Sequence, residues 1–100
     1  QRSGPSTGLP TRQGQDDLLF AINAGHGEFP RIVYASGDVE DSFYDTCKCF
    51  NFADIFQVPV IHILDKFIAS SVVTCKRFEP DLISIDRGKL LEKIDGDYKR

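Results

Sequence analysis

The sequence predicts an α/β fold with a parallel sheet, present as a partial fragment of a larger domain. Three observations carry this reading. Two short β-branched runs, Arg31–Ala35 and Val60–Leu64, are separated by one helical stretch and preceded by another, the alternation that sets helices against parallel strands. The second run is apolar almost throughout, as in a strand covered on both faces. Two strands do not complete such a sheet, and the chain opens on Gln1 and contains no Met. Further strands are therefore expected upstream of Gln1.

The elements follow in order. Residues 1–15 (QRSGPSTGLPTRQGQ) are rich in Gly, Ser, Thr and Pro without an apolar period, and read as a loop. Asp16 and Asp17 lead into Leu18, Leu19 and Ile22 at helical spacing, and Gly25-His26-Gly27 supplies a stop. Pro30 and Ser36-Gly37-Asp38 bound the first strand, and Asp38 is placed to cap the next helix, with Glu40 and Asp41 in its first turn. Val39, Phe43, Cys47, Phe50 and Ala53 trace one apolar face of that helix, and Phe52 and Phe56 broaden it, so burial on more than one side is expected. Gln57-Val58-Pro59 ends it. After Asp65-Lys66 the order weakens: Phe67-Ile68-Ala69 opens a helix that Ser70–Thr74 does not favour. A charged segment follows from Glu79, with Leu82-Ile83-Ser84-Ile85 as its one extended candidate. The expected boundaries are residues 1–78 for the α/β part and residues 79–100 for a charged segment leaving it.

Composition removes several function classes. The net charge of −3 gives no electrostatic footprint for nucleic acid or an anionic membrane surface. No run approaches the roughly 18 apolar residues of a membrane span. Three cysteines, an odd count at unremarkable spacing, argue against a disulfide scaffold and for a reducing, cytoplasmic setting. Residues 16–45 carry seven acids against the single base Arg31, which fits helix first turns and a solvated face.

Taken one by one, the candidate residues leave the chemistry open. Gly4-Pro5-Ser6-Thr7-Gly8 offers backbone N–H groups and hydroxyls to an anion, but has neither the lysine of a phosphate loop nor the dinucleotide fingerprint, and spacing alone favours a polar surface turn. Arg2 and Arg12 bracket that loop. An arginine fork beside hydroxyls matches a carboxylate, yet most arginines are simply exposed. His26 could serve as acid or base, but a helix C-terminal position accounts for it better, and His62, inside the apolar run, fits a hydrogen-bonded core residue. Cys47 and Cys49 lie about 200° apart on a helix. With Cys75 remote and no fourth ligand evident, a zinc or iron–sulfur site is disfavoured.

The opening residues Gln1-Arg2-Ser3-Gly4-Pro5-Ser6-Thr7-Gly8-Leu9-Pro10-Thr11 resemble the Q-R-x-G-P-S-T-G-x-P-T segment of the α subunit of 2-oxoacid:ferredoxin oxidoreductases. The resemblance continues through Gly14-Gln15-x-Asp17-Leu18, Gly25-His26-Gly27, Phe29-Pro30, Gly37-Asp38-Val39, Ala53, Val58-Pro59-Val60-Ile61 and Asp65-Lys66. It extends to Ile85-Asp86-Arg87-Gly88-Lys89 and Asp97-Tyr98-Lys99-Arg100, so nearly the whole chain is covered.

The resemblance implies the C-terminal part of the pyrimidine-binding domain of a thiamine-diphosphate enzyme, a three-layer fold with a parallel sheet. The reaction it implies is oxidative decarboxylation of a 2-oxoacid to acyl-CoA and CO2 with reduction of ferredoxin. By the same resemblance Arg2 pairs with the substrate carboxylate and Thr11 lies nearby in the substrate pocket, while Thr7 or Thr11 offers a hydroxyl from the same loop. Thiamine diphosphate with Mg2+ and iron–sulfur clusters belong to the intact complex, none of them to this segment alone. The implied partners are a β subunit, with γ and δ subunits as further candidates, together with coenzyme A and ferredoxin. The family's Tyr-Pro-Ile-Thr-Pro motif and its cofactor-activating glutamate are expected upstream of Gln1, so the isolated chain is expected to be inactive. Phe20, Asn23, Tyr44, Cys47, Cys49 and the Ser70–Cys75 stretch depart from the family pattern and leave substrate choice open. The competing reading is a non-catalytic α/β assembly or binding module that kept the loop.

Overall fold

A computed structural model describes residues 17–91 and Gly96. The order of elements is α1 (Asp17–Asn23), β1 (Ile32–Ala35), α2 (Val39–Phe56), β2 (Val60–Ile63), α3 (Lys66–Ser70) and a 3₁₀ turn at Pro80–Leu82. The two strands pair in parallel, Ile32 opposite Val60 and Ala35 opposite Ile63. Helix α2 is the crossover between them, as parallel neighbours require. The parallel α/β reading is met.

Sequence chemistry sets the ends of these elements. Asp38 caps α2, its carboxylate accepting from Asp41 N at 2.7 Å, and Asp65 caps α3 by accepting from Ile68 N at 2.8 Å. Each satisfies an N–H that the first helical turn leaves without an internal partner. At the far end of α2, Gln57 takes left-handed backbone (φ 54°) and its N–H bonds Ala53 O. Helix α1 is finished from outside. The Arg31 guanidinium donates to Ala24 O, lies 3.5 Å from Ala21 O and stacks over the Phe29 ring. A cation at the negative end of a helix is favourable, and this one ties α1 to the entrance of β1.

Helix α2 is covered on two opposite sides, but its widest apolar stripe does not face the strands. Asp45 and Cys49, its most buried residues, and Phe52, whose ring lies 6.0 Å from that of Tyr34, turn toward the sheet. Phe43, Cys47, Asn51 and Asp54 turn about 180° away. There they meet the chain returning at residues 78–88, where Phe78 stacks on Phe43 at 4.3 Å. The sheet side is narrow because polar groups pair within it, as set out below.

Two further expectations are corrected. The extended stretch expected over Leu82–Ile85 does not include Leu82, which closes the 3₁₀ turn; Ile83 is extended, its N–H bonding Pro80 O, and the stretch pairs with neither strand. The strand predicted to run to Leu64 ends at Ile63, where Asp65 begins to cap α3. Many large apolar side chains remain exposed, among them Leu19, Phe20, Phe50 and Ile85.

Candidate functional site

Parallel α/β sheets take ligands outside the carboxyl ends of their strands, and polar groups gather at that end here. Ser36 follows the last residue of β1, His62 lies near the end of β2, and Asp45 and Thr46 face them from α2. Ser36 Oγ lies 2.7 Å from His62 Nε2 and donates to Asp45 Oδ2 at 2.9 Å. His62 Nδ1 lies 3.3 Å from Thr46 Oγ1, which donates to Ser42 O at 2.7 Å. Lys48 Nζ donates to the second oxygen of Asp45 at 2.9 Å, and the edge of the His62 ring meets Tyr34 at 6.3 Å.

Asp45 is the hub, and only 6% of it is exposed. Burial alone raises a carboxyl, but the Lys48 ammonium and the hydroxyls of Ser36 and Tyr34 outweigh it and hold Asp45 below the usual carboxylate range. The same pairing raises Lys48 above the ordinary lysine value. Burial, with Asp45 nearby, pushes the Cys49 thiol up, which makes it a poor nucleophile. The order of contacts is not that of a hydrolytic triad, because the carboxylate bonds the serine rather than the histidine. The network therefore ties the turn after β1 to β2 and α2.

Period-two alternation along β2 sends Ile61 and Ile63 to the face away from His62. Between α1 and β2 lies a crevice of about 290 Å³, lined by Asp17, Phe20 and Ala21 of α1 and by Ile61, His62 and Ile63 of β2. Asp17 Oδ2 is buried in the structure and has no hydrogen-bond partner among the described residues. Asp17, at one side of this crevice, is the first of the described residues.

Arg2, Thr7 and Thr11, the sequence-predicted substrate residues, fall outside the described residues, as does Arg12. His26 sits exposed in the turn after α1, between Gly25 and Gly27 at positive φ. His62 is a hydrogen-bonded, half-buried residue, as its place in the strand suggested. Cys47, Cys49 and Cys75 are free thiols, with Cys49 turned to the sheet and Cys47 to the opposite side of α2. Sequence reasoning missed Ser36 and Asp45. The signal available was a serine ending a β-run and a carboxylate on the crossover helix, but only the fold brings them together.

Among the described residues no group of three or more His, Cys, Asp or Glu side chains is placed to hold a metal ion. These residues do not fit the Mg2+-bound diphosphate end of a thiamine cofactor, or an iron–sulfur cluster. None of the described helices is long and apolar enough to cross a membrane.

Fold and site together define a parallel α/β domain with its polar groups at the ligand-facing end of the sheet. Residues 1–97 match the thiamine-diphosphate-binding domain of pyruvate flavodoxin/ferredoxin oxidoreductases, and the chain belongs to that family. It is 55% identical over 101 residues to subunit alpha of 2-oxoacid:ferredoxin oxidoreductase 2 from Aeropyrum pernix, covering 99% of this chain and 16% of that one. It is 51% identical over 92 residues to the 2-oxoacid:ferredoxin oxidoreductase alpha subunit of Saccharolobus solfataricus, covering 90% of this chain and 15% of the other. More distantly, it is 31% identical over 98 residues to the 2-oxoglutarate synthase subunit KorA of Methanothermobacter marburgensis, covering 98% of this chain and 26% of KorA. The chain thus spans about one sixth of the length of its more similar relatives. These relatives are subunits of oxidoreductases.

Proposed function

We propose that this chain is part of the α subunit of a 2-oxoacid:ferredoxin oxidoreductase, on the pyrimidine side of its thiamine-diphosphate site. The reaction is oxidative decarboxylation of a 2-oxoacid to acyl-CoA and CO2, with ferredoxin as electron acceptor. One observation carries this reading: similarity to subunits of that name runs through 99% of the chain and includes the opening Gln1–Thr11 motif.

Such an enzyme draws its carbon nucleophile from thiamine diphosphate. The task of this chain is to hold the 2-oxoacid. Arg2, charged at any working pH, offers two parallel N–H groups to the carboxylate, and Thr7 and Thr11 add hydroxyls from the same loop. Fixing the carboxylate fixes the distance and angle of the neighbouring carbonyl, an orientation effect worth several kcal/mol of barrier. Pro5 and Pro10 limit the loop's conformations before substrate arrives. The Mg2+-bound diphosphate and the iron–sulfur clusters are assigned to other segments or to partner subunits.

The test is the intact α subunit assembled with its β subunit and assayed with pyruvate, 2-oxoglutarate, coenzyme A and a viologen acceptor. Reduction that depends on the 2-oxoacid, coenzyme A and thiamine diphosphate is the expected result. An assembled enzyme that reduces the acceptor with no 2-oxoacid overturns the proposal, as does turnover by the isolated chain.

A further inference from the structure

Residues 78–88 lie along the side of α2 opposite the sheet, held at two ends of different character. At the first end Phe78 stacks on Phe43 at 4.3 Å and meets the edge of Tyr44, whose hydroxyl accepts from Glu79 N at 3.1 Å. At the second end the contacts are polar and exposed. Asn51 donates to Ser84 O at 2.7 Å and accepts from Asp86 N at 3.0 Å, and Arg87 pairs with Asp54. Gly88 then crosses the helix so closely that an added Cβ would stand 2.9 Å from Ile55 Cα.

Between these ends the fit is poor. A cavity of about 590 Å³ lies between α2 and the returning chain, lined by Cys47, Phe50, Ile83 and Ile85 among others. A second, of about 210 Å³, lies beside it and is also lined by Cys47. Gaps on this scale forfeit the dispersion contacts that close packing supplies. Phe50 and Ile85 are 72% and 78% exposed, so the middle of the segment adds little burial.

We propose that residues 78–88 form a strap anchored at Phe78, whose residues 81–88 open as a unit from the Gly88 end, hinging at Glu79-Pro80. The aromatic stack holds while the polar clamp releases, because exposed hydrogen bonds and ion pairs contribute little net stability. Opening uncovers Cys47, which is only partly exposed beneath the segment, and leaves the sheet side of α2 in place. The covered or open state of this side of α2 is thereby set by Asn51, Asp54 and Gly88, independently of the oxidoreductase reading.

The three free thiols report on this directly. Cys47 lies under the strap, Cys75 is exposed and Cys49 is buried against the sheet. The full chain is treated with N-ethylmaleimide and the modification rate of each cysteine is followed by mass spectrometry. Asn51→Ala is expected to speed Cys47 by about three- to tenfold, the effect of losing about two exposed hydrogen bonds. Arg87→Ala is expected to speed it by about twofold. Cys75 and Cys49 should keep their parent rates in both variants. Hydrogen exchange at Asp86, whose N–H bonds across to α2, should rise with Cys47, and more than at Leu82 and Ile83 near the hinge. Unchanged Cys47 rates in both variants overturn the strap. So does a parallel rise at Cys49, which means that α2 itself is opening.

Discussion

Replacing Asp45 tests whether the polar network at the strand ends holds the fold together. Asp45→Ala removes the acceptor for Ser36 Oγ and the partner of Lys48. Lys48 is 55% exposed, so its share is screened by solvent and amounts to about 0.5 kcal/mol. The Ser36 bond runs to a buried charge, where a hydrogen bond contributes about 1.5–3 kcal/mol. The expected loss is about 2–3.5 kcal/mol, and about 1 kcal/mol for Asp45→Asn, which keeps the shape and one acceptor oxygen. Urea unfolding followed by circular dichroism measures both, and Lys48→Met should cost under about 1 kcal/mol. The acid limb adds a second signature. Asp45 lies below its ordinary value when folded, so its contribution is complete above about pH 4 and is lost as pH falls through the lower folded value. The gap between parent and Asp45→Asn should therefore close in acid. An Asp45→Ala chain within about 0.5 kcal/mol of the parent, or a gap that widens on acidification, refutes the reasoning.

Three other expectations concern single positions. In the intact enzyme Arg2→Ala should lower kcat/KM for the 2-oxoacid by about 2–4 kcal/mol, Arg2→Lys should recover part of it, and thiamine diphosphate affinity should hold. The same change at Arg12 should do much less, and steady-state kinetics compares the two. Gln57→Gly should raise the melting temperature by a few degrees, because left-handed backbone at φ 54° suits glycine and the gain of about 1 kcal/mol exceeds the lost bond from Gln57 Nε2 to Asp54 O. Gly88→Ala meets both a positive φ and the backbone of Ile55. It should speed hydrogen exchange at Asp86 by about tenfold while leaving His62 protected.

Local chemistry made much of the fold legible. A β-branched run bounded by Pro30 and Ser36-Gly37-Asp38 reads as a strand because no other short element suits it, and Asp38 announces α2 because its carboxylate belongs on an open N–H. The weak helix formers after Ser70 likewise stop α3. The orientation of α2 was less legible. Its most apolar stripe suggests the core, yet the sheet is met by Asp45 and Cys49. A polar hub reads as core only when its partners are known, and Ser36 and His62 lie far apart in the chain. The strap was hidden for a similar reason: Phe78 and Arg87 carry no local sign of the helix they bind. Arg2, Thr7 and Thr11 stood out through their motif rather than through any pattern of spacing, and they lie beyond the described residues.

Arg31 has a consequence for how this region tolerates change. Its guanidinium closes the turn from Ala24 to Arg31 on itself, joining the end of α1 to the start of β1 across Gly25, Gly27 and Pro30. Surface loops ordinarily absorb insertions at little entropic cost. Here one added or deleted residue displaces the cation from the helix carbonyls it serves, and α1 loses its bearing on the sheet. Because α1 begins at Asp17, such a shift moves the point at which the Gln1–Asp16 segment joins the fold. Length in this turn should thus be under tighter restraint than its exposure suggests.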